Sequence, residues 1–307
     1  MRFAIIGTGY IGPINTAALL TCPEAEIAAV YNRTRSKAAA MCEKLGLSCP
    51  IYTDWKQMLA EVKPEAAVIN LYNDLHKEVF LACAEAGIHV LVEKPVANTY
   101  EDCLDMIAAA DKGGIRAGVL HTQRYGSVLT TAKDYILSHR EELGPLLGVN
   151  DNMNCHYFWD GRSPWHLDPV RSGGGIVMNY GVHQLDRVHW LLEQNTTDFH
   201  SHYLTAKPGI DTCSSYAMLG RTDGGAAYTV TCTGYAGSFI NELTLAFQNA
   251  VMRCVVMSSA TEEKGVYVNG SAIPLIVDDD NNAMYNREMR EAVDYLTGKT
   301  DTPPISL

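Results

Sequence analysis

Two segments of the chain combine residue types that can move a proton or stabilise negative charge. In the first, Glu93 and Lys94 follow the apolar run His89–Val92, and Pro95 follows them. Such a run is typical of a buried strand, and ligands of an open parallel sheet bind beyond the carboxyl ends of its strands. Lys94 is therefore a candidate catalytic residue, and Pro95 can hold the backbone in a special geometry, including a cis peptide bond. A surface Lys-Pro turn is the alternative.

The second segment runs from Ser172 to Asp186 and contains three consecutive glycines, followed by Asn179 and His183. His183 is a candidate general base, because imidazole changes its charge near neutral pH. Asn179 lies four residues earlier, so on a helix both side chains project from one face, and Asp186 is near enough to orient His183. The glycines allow the backbone to approach another surface closely. Alternatively, a lone helical histidine is a structural residue.

The stretch His156–His166 mixes aromatic and polar side chains. Such a mixture suits stacking on a sugar face, and an aromatic core cluster explains it equally well. Arg162 and Trp165 are the candidate substrate contacts in this stretch.

The amino terminus contains a nucleotide-binding pattern. The strand-like run Arg2–Ile6 leads directly into GTGYIG, and a helical run from Ile11 to Leu20 follows. This is GxGxxG in its required context: the first glycine permits the turn, the second lets backbone approach a pyrophosphate, and the third lets the helix pack on the strand. The amino end of the helix adds amide donors and a positive dipole end. The predicted cofactor-binding residues of this turn are Gly7, Thr8, Gly9, Tyr10, Ile11 and Gly12. If a dinucleotide binds at this turn, we expect the glycine triplet of the second segment to approach the nicotinamide end of the cofactor. Glu93 is then expected to position the ribose of the cofactor.

The residues after the second strand, Glu26–Tyr31, bear on the choice of cofactor. An NAD site usually offers an Asp or Glu there to the ribose 2′-hydroxyl, whereas this sequence continues with Asn32, Arg33 and, two residues later, Arg35. Asn32 can hydrogen-bond a hydroxyl, and the two arginines can hold a 2′-phosphate. Solvated arginines at a helix start are the alternative. We therefore expect NADP to be favoured over NAD.

Strand and helix patterns alternate through the first part of the chain, which predicts a Rossmann-type doubly wound parallel sheet in an α/β protein. From about Gly144 the pattern changes to longer alternating strands, beginning with Leu146–His156. This predicts an α+β domain with a large, mostly antiparallel open sheet, closed by a helix near Ala283–Leu296. The predicted domains are residues 1–120, which bind the dinucleotide, and residues 121–307, which bind the substrate and form the oligomer. Self-association is the simplest cover for the open sheet face, so a homodimer or homotetramer is expected.

Composition limits the class of protein. The chain has 307 residues, of which 47% are hydrophobic and 19% charged, with a net charge of −11. The negative charge argues against nucleic acid or anionic membranes as partners, and no apolar run reaches the ~18 residues of a membrane helix. Nine cysteines without a CxxC pair indicate reduced thiols in the cytoplasm, and no signal peptide is evident. The histidines form no recognisable ligand set, so no metal site is predicted.

Three motifs carry a resemblance to a known family. GTGYIG, NDLHKEVFLACAEAGIHVLVEKPVA and HTQRY resemble the glucose–fructose oxidoreductase / inositol dehydrogenase (Gfo/Idh/MocA) family over nearly the whole chain. The segment Asn70–Tyr72 departs from it, since the family often has Thr-Pro there. The resemblance implies a cofactor site that includes Asn73, His76, Glu93, Lys94 and Gln123, with Tyr125 at the substrate.

The segment after the glycine triplet resembles the family motif GGGxxxDxGxHxxD. Lys94 matches the catalytic lysine of the family and His183 its catalytic histidine. Asn179 stands where the family commonly has aspartate, and an amide can orient a partner but cannot relay a proton. Some members that act on nucleotide-linked sugar acids carry Asn at this position, so Asn179 is compatible with activity.

These observations predict an NAD(P)-dependent oxidoreductase that transfers hydride between a nicotinamide cofactor and a hydroxyl or ketone of a sugar, polyol or sugar derivative. His183 accepts the hydroxyl proton, Lys94 hydrogen-bonds the same oxygen, and Asn179 completes the catalytic set. The substrate contacts are Lys94, Tyr125, Arg162, Trp165, Asn179 and His183. Two alternatives stay open: a dinucleotide-binding sensor or subunit without turnover, suggested by Asn179, and a reductase or transhydrogenase that never releases its cofactor.

Overall fold

The computed structural model describes residues 1–205, 212–259 and 261–307. The chain folds into two compact units: residues 1–122 together with 280–307, and residues 123–279.

The first unit is built on a parallel sheet in the order β3-β2-β1-β4-β5-β6. Its strands are β1 (Arg2–Ile6), β2 (Glu26–Tyr31), β3 (Ile51–Tyr52), β4 (Ala66–Ile69), β5 (His89–Glu93) and β6 (Ala117–Leu120). The connecting helices are α1 (Gly12–Leu19), α2 (Arg35–Leu45), α3 (Trp55–Val62), α4 (Asn73–Glu85) and α5 (Tyr100–Gly113). The strand order reverses between β1 and β4, which is the point where open α/β sheets bind ligands.

Both faces of this sheet are buried, which explains its continuous apolar runs. Successive residues of β1 point to opposite faces, so Phe3 and Ile5 enter one apolar cluster while Ala4 and Ile6 enter the other. The predicted Rossmann-type sheet is therefore confirmed.

The second unit is built on a larger sheet in the order β14-β13-β12-β11-β7-β10-β9-β8. The strands are β7 (Leu146–His156), β8 (Thr196–Leu204), β9 (Ser215–Thr222), β10 (Ala227–Thr233), β11 (Tyr235–Phe247), β12 (Val251–Ser258), β13 (Glu263–Val268) and β14 (Ser271–Ile273). Its helices are α6 (Ser127–Ser138), α7 (Arg140–Leu143), α8 (Pro169–Ser172) and α9 (Val182–Leu192). Of the strand pairs, β7 and β10 run parallel and the others antiparallel. The predicted open, mostly antiparallel sheet is confirmed.

One face of this second sheet forms the core of its unit. Val149, Val230 and Leu243 are buried on that face and join one cluster with Leu129 of α6 and Val188 of α9. The helices α6 and α9 therefore cover the inner face, and this apolar packing holds α9 on the sheet.

The carboxyl-terminal helix, α10 (Ala283–Leu296), packs in the first unit, whereas the sequence-based division at residue 120 placed it in the second domain. The reason is apolar packing: Met289, Val293 and Leu296 share a buried cluster with Ile5 and Leu19. Residues 280–307 thus complete the nucleotide-binding unit, although they are distant from it in sequence.

Candidate active site

The glycine turn between β1 and α1 is shaped by the packing of the chain on itself. A Cβ on Gly7, whose φ is +103°, would lie 2.4 Å from the carbonyl oxygen of Asn70, and a Cβ on Gly12 would lie 2.4 Å from that of Gly7. At Gly9, by contrast, a Cβ would meet no heavy atom within 4 Å. Gly7 and Gly12 are therefore needed for the turn, while Gly9 borders open space at the amino end of α1. This geometry fits a dinucleotide whose pyrophosphate lies against the turn.

The three residues after β2 that are predicted to bind the adenosine ribose, Asn32, Arg33 and Arg35, differ in the contacts they make. The amide nitrogen of Asn32 donates a hydrogen bond to the hydroxyl of Thr8 at 2.5 Å, which joins the end of β2 to the glycine turn. Both arginines are exposed, but Arg35 donates a hydrogen bond to the carbonyl of Ile51 at 2.7 Å and so tethers β3. Arg33 is thus the better placed of the two arginines for a 2′-phosphate.

Three buried polar side chains meet at the carboxyl ends of β4 and β5. The amide nitrogen of Asn15 on α1 donates to Asn70 Oδ1 and to Glu93 Oε1, at 2.8 Å in each case. Asn15 is 1% exposed and Glu93 is 8% exposed. Burial raises the pKa of Glu93, and the charge of Lys94 and the Asn15 hydrogen bond oppose that rise. The sequence analysis did not identify Asn15; the signal was a polar residue three positions after Gly12, on the face of α1 that packs against the sheet.

Lys94 is half-buried, and its peptide bond to Pro95 is cis, as the Lys-Pro sequence allowed. The residue that shapes this turn is His76 of α4, which is fully buried. Its Nδ1 lies 2.9 Å from the Pro95 carbonyl oxygen, and its Nε2 lies 3.2 Å from that of Leu71. Burial lowers the pKa of His76, and the hydrogen bonds to the backbone carbonyls of Pro95, Leu71 and Val96 oppose that fall. We therefore assign His76 a positioning role behind Lys94 instead of the predicted direct contact with the cofactor.

The closing helix α10 adds two residues that sequence reasoning missed. Glu288 is buried, and its carboxylate accepts hydrogen bonds from the His121 amide and, at 2.6 Å, from the Thr122 hydroxyl, so it fixes the end of β6. Tyr285 is partly buried, and burial together with the nearby charge of Glu93 raises its pKa to about 12. Neither residue belongs to a recognisable motif, and only the packing of α10 in this unit brings them to the site.

In the second unit, Tyr157 connects several of the predicted substrate residues. The Asn179 amide nitrogen donates to the Tyr157 hydroxyl at 3.3 Å, and that hydroxyl lies 3.3 Å from Nδ1 of His166. The Arg162 guanidinium lies 3.5 Å from the centre of the Tyr157 ring and is 3.4 Å from the same His166 nitrogen. The Trp165 ring lies against that of His166, with 3.9 Å between ring centres and a 31° tilt between the planes. Asn179, Arg162 and Trp165 therefore belong to one cluster, and the buried Tyr157 is at its centre.

His183 is 8% exposed and lies in the first turn of α9, directly after the π-helical turn Val177–Gly181 that carries Asn179. Such wide turns occur frequently at functional sites. Asp186, predicted to orient His183, accepts hydrogen bonds on both carboxylate oxygens from Arg124, at 2.8 and 2.5 Å. Asp186 thus anchors the segment that contains Arg124 to α9.

The glycine triplet is shaped by contacts of the local backbone, and its approach to the nicotinamide end of a cofactor stays a prediction. Gly173 ends α8 in the left-handed conformation, at φ +72°. A Cβ on Gly175, at φ +69°, would lie 2.8 Å from the carbonyl oxygen of Cys213, and the Ile176 amide donates to that oxygen. The close approach is therefore to a neighbouring segment of the same unit.

A fully buried polar network holds α9 on the sheet. Arg187 of α9 donates from Nε and Nη2 to the two carboxylate oxygens of Asp151 on β7, and from Nη1 to Asn241 Oδ1 at 2.5 Å. Gln184, one turn earlier, donates to Asp151 and accepts from the Tyr216 hydroxyl. Because α9 also carries His183, this network sets the position of the candidate base. No sequence pattern predicts this network, since its members come from four separate elements.

The other predicted residues occupy the ends of elements. Asn73 is the buried first residue of α4, and Tyr72 precedes it as the N-cap. Gln123 and Tyr125 lie in a short 3₁₀ turn, Thr122–Tyr125, after β6. Within the ranges that the structure describes, no group of three or more His, Cys, Asp or Glu side chains is arranged to hold a metal ion. No helix among the described residues is long and apolar enough to cross a membrane.

Comparison with known proteins gives two matches to family models. Residues 1–121 match the model described as an oxidoreductase family with an NAD-binding Rossmann fold. Residues 132–252 match the model of the GFO/IDH/MocA C-terminal domain.

Individual relatives are more distant. The 1,5-anhydro-D-fructose reductase of Ensifer adhaerens is 25% identical over 64% of this chain and 58% of its own length. The D-xylose 1-dehydrogenase (NADP(+)) 2 of Haloferax volcanii is 27% identical over 69% of this chain and 63% of its own length. The chain thus matches less than two thirds of the length of these relatives. The solved structure of levoglucosan dehydrogenase in complex with NADH and levoglucosan has a TM-score of 0.84 at 18% identity, covering 97% of this chain and 90% of that one, which shows a shared fold.

Proposed function

The chain belongs to the Gfo/Idh/MocA oxidoreductase family, and from this we propose that it is an NAD(P)-dependent dehydrogenase or reductase acting on a CH–OH group. The substrate is a sugar, polyol or sugar derivative. The observation that carries the proposal is the placement of Glu93 and Lys94 at the carboxyl end of β5. They follow a strand of the same parallel sheet whose first strand leads into the glycine turn, and the open space at Gly9 leaves room for the dinucleotide.

The cofactor, when bound, supplies the hydride acceptor or donor, and the chain supplies binding and proton handling. We assign proton transfer at the substrate hydroxyl to His183. Lys94 donates a hydrogen bond to the same oxygen and stabilises the negative charge that develops on it. Asn179 orients the substrate, because an amide can donate and accept hydrogen bonds but cannot take the proton.

Sugar recognition is assigned to the cluster around Tyr157. Arg162 and Trp165 offer a guanidinium and an indole face in that cluster, a combination that suits hydroxyl groups and the apolar face of a sugar ring. Tyr125, in the turn after β6, is a further substrate contact. The names of the relatives, which include a reductase of anhydrofructose and a dehydrogenase of xylose, support this substrate class.

For the cofactor we propose a preference for NADP over NAD. The support is the lack of a carboxylate after β2 together with the exposed Arg33. The relatives point in both directions, since one name specifies NADP(+) and one solved structure contains NADH. Asn32, which its hydrogen bond to Thr8 positions, then contacts the adenosine ribose. Asn73 and Gln123 complete the cofactor contacts.

We also propose a cytoplasmic homodimer or homotetramer whose partners are small molecules and not nucleic acid or membranes. The open face of the larger sheet supports this, because a second copy of the chain is the simplest cover for such a face. Light scattering at micromolar concentration should give a dimer or tetramer mass, and a monomer would contradict the assembly.

A substrate screen tests the proposed activity. Sugars, polyols and UDP-sugar acids are each offered with NAD⁺ and NADP⁺, and with the reduced cofactors for the corresponding ketones, while the absorbance of the reduced nicotinamide is followed. Turnover that is lost in Lys94→Ala, purified in the same way, assigns the activity to this chain. Tight cofactor binding without turnover across the panel would instead favour a dinucleotide-binding sensor.

A further inference from the structure

We infer that the Glu93 carboxylate makes the nucleotide-binding unit distinguish the oxidised cofactor from the reduced one, and that it couples this choice to a proton. This inference rests on the proposed function, because it assumes that a nicotinamide cofactor binds to the first unit. The oxidised nicotinamide ring carries a positive charge and the reduced ring is neutral. A buried negative charge near the ring therefore binds the oxidised form more tightly, and a protonated Glu93 does not.

The position of Glu93 places it in the nicotinamide half of the sheet. A dinucleotide crosses such a sheet where the strand order reverses, with one mononucleotide on each side. Here the reversal lies between β1 and β4, and Asn32 ends β2 on the adenosine side. Glu93 ends β5 on the other side, and Asn15 ties it to α1, the helix that starts at the glycine turn.

The surroundings of Glu93 let its charge interact strongly with a charge on a nearby ligand. It is 8% exposed, so water screens the carboxylate only weakly. Asn15 is a neutral donor, and it holds the charged form with one hydrogen bond without neutralising it.

The titratable groups around this carboxylate come from several elements. Lys94 follows directly after β5, and its positive charge stabilises the charged form of Glu93. Tyr285 of α10 interacts with Glu93 and, in turn, with Tyr10 of the glycine turn and with Glu288. His76 of α4 interacts with Lys94, and burial lowers the pKa of His76.

Coupling between two sites is reciprocal. When hydride transfer turns the charged ring into a neutral one, the negative charge on Glu93 loses a favourable partner, and its affinity for a proton rises. Conversely, a charged Glu93 stabilises the oxidised cofactor, and this favours hydride donation to a carbonyl substrate. When Glu93 is charged, the enzyme-bound equilibrium therefore favours reduction of the carbonyl substrate.

The test is calorimetric binding of oxidised and reduced cofactor, with no substrate present. Dissociation constants are measured from about pH 5 to about pH 9, a range that spans a carboxyl group whose pKa is raised by burial. The quantity of interest is the affinity for the oxidised form divided by that for the reduced form. With NADP the titration of the 2′-phosphate cancels in this ratio, since both forms carry it.

In the wild-type protein the ratio should fall by about tenfold or more as the pH is lowered, the size expected for one charge near another in a partly desolvated site. In Glu93→Gln the ratio should stay at the low value at every pH. Asn15→Asp should move the transition to higher pH, because two carboxylates that share a site do not ionise together readily. Glu85→Gln is the matched control: it removes the same charge from the exposed end of α4, which leads to the opposite end of β5, and it should match wild type.

A ratio that is independent of pH in the wild-type protein, while both forms bind, overturns the inference and leaves the proposed function intact. A pH-dependent ratio that persists in Glu93→Gln also overturns it. If neither form binds at any pH, the proposed function fails and the inference fails with it. If Glu93→Gln does not fold, Asn15→Asp takes its place: a transition that stays at the wild-type pH in that variant overturns the inference.

Discussion

Replacing Asp151 with Asn should destabilise the second unit strongly, because it leaves the guanidinium of Arg187 buried beside a neutral amide. Arg187 is completely buried and Asp151 is 1% exposed. Two guanidinium nitrogens donate to the carboxylate, and the third donates to Asn241. An arginine cannot lose its proton to escape this situation.

The expected cost follows from that burial. Removing one partner of a buried ion pair costs about 3–5 kcal/mol, because the remaining charge stays uncompensated. Arg187→Met should cost less, since the Asp151 carboxylate that it leaves behind can take up a proton and keeps its bond from Gln184. The double variant Asp151→Leu, Arg187→Met removes both charges and should recover most of the loss.

Urea unfolding followed by tryptophan fluorescence measures this effect in the right place. Three of the four tryptophans, Trp159, Trp165 and Trp190, lie in the second unit, and Trp190 is on α9 itself. With a typical dependence on urea, the midpoint of the Asp151→Asn variant should fall by about 2 M.

Asp198→Asn provides a matched control, because that carboxylate is 70% exposed on β8 and its loss should change the stability by less than about 0.5 kcal/mol. The reasoning is refuted if Asp151→Asn unfolds as the control does, or if the double variant is no more stable than Asp151→Asn. Either result would mean that the ion pair does not hold α9 on the sheet.

Two further predictions concern the first unit. Asn32→Asp should shift the kcat/KM ratio from NADP towards NAD by about tenfold or more, because the new carboxylate repels a 2′-phosphate; a wild-type protein that already prefers NAD strongly would contradict the role given to Arg33. Glu24 accepts hydrogen bonds from Arg290 and Lys299, which hold its pKa at about 2, below the usual 4.5. The ionised Glu24 therefore contributes its full stabilisation at pH values above 4.5, and this stabilisation is lost as the pH falls towards about 2. Glu24→Gln should lose stability less steeply than wild type in acid unfolding over this window, and equal slopes would contradict the assignment.

Both sheets could be predicted from the sequence, because local hydrophobic patterns determine them. Continuous apolar runs such as His89–Val92 mark strands buried on both faces, and alternating runs such as Leu146–His156 mark strands buried on one face. The glycine turn was also predictable, since Gly7 and Gly12 are required by contacts within a few residues or with the adjacent strand. The helix caps at Asp54 and Thr99 follow the same local logic and are present in the structure.

The remaining features depend on contacts between residues that are distant in sequence. The apolar stripe of α10 shows that the helix packs on a core, but it does not show which one. Asp186 fits a motif, yet its spacing from His183 could not reveal the pairing with Arg124. Gly175 signals a close backbone approach, and only the fold identifies Cys213 as the neighbour.

The most direct test of the account is the effect of His183→Ala on turnover and on cofactor affinity, measured with the best substrate from the screen. We predict that kcat falls by roughly 10²–10⁴, the usual contribution of a positioned acid–base group. The dissociation constant of the cofactor should remain close to the wild-type value, because the glycine turn of the other unit holds the dinucleotide. A variant with near-normal kcat, or one that loses cofactor affinity together with activity, would contradict the assignment of His183 as the base.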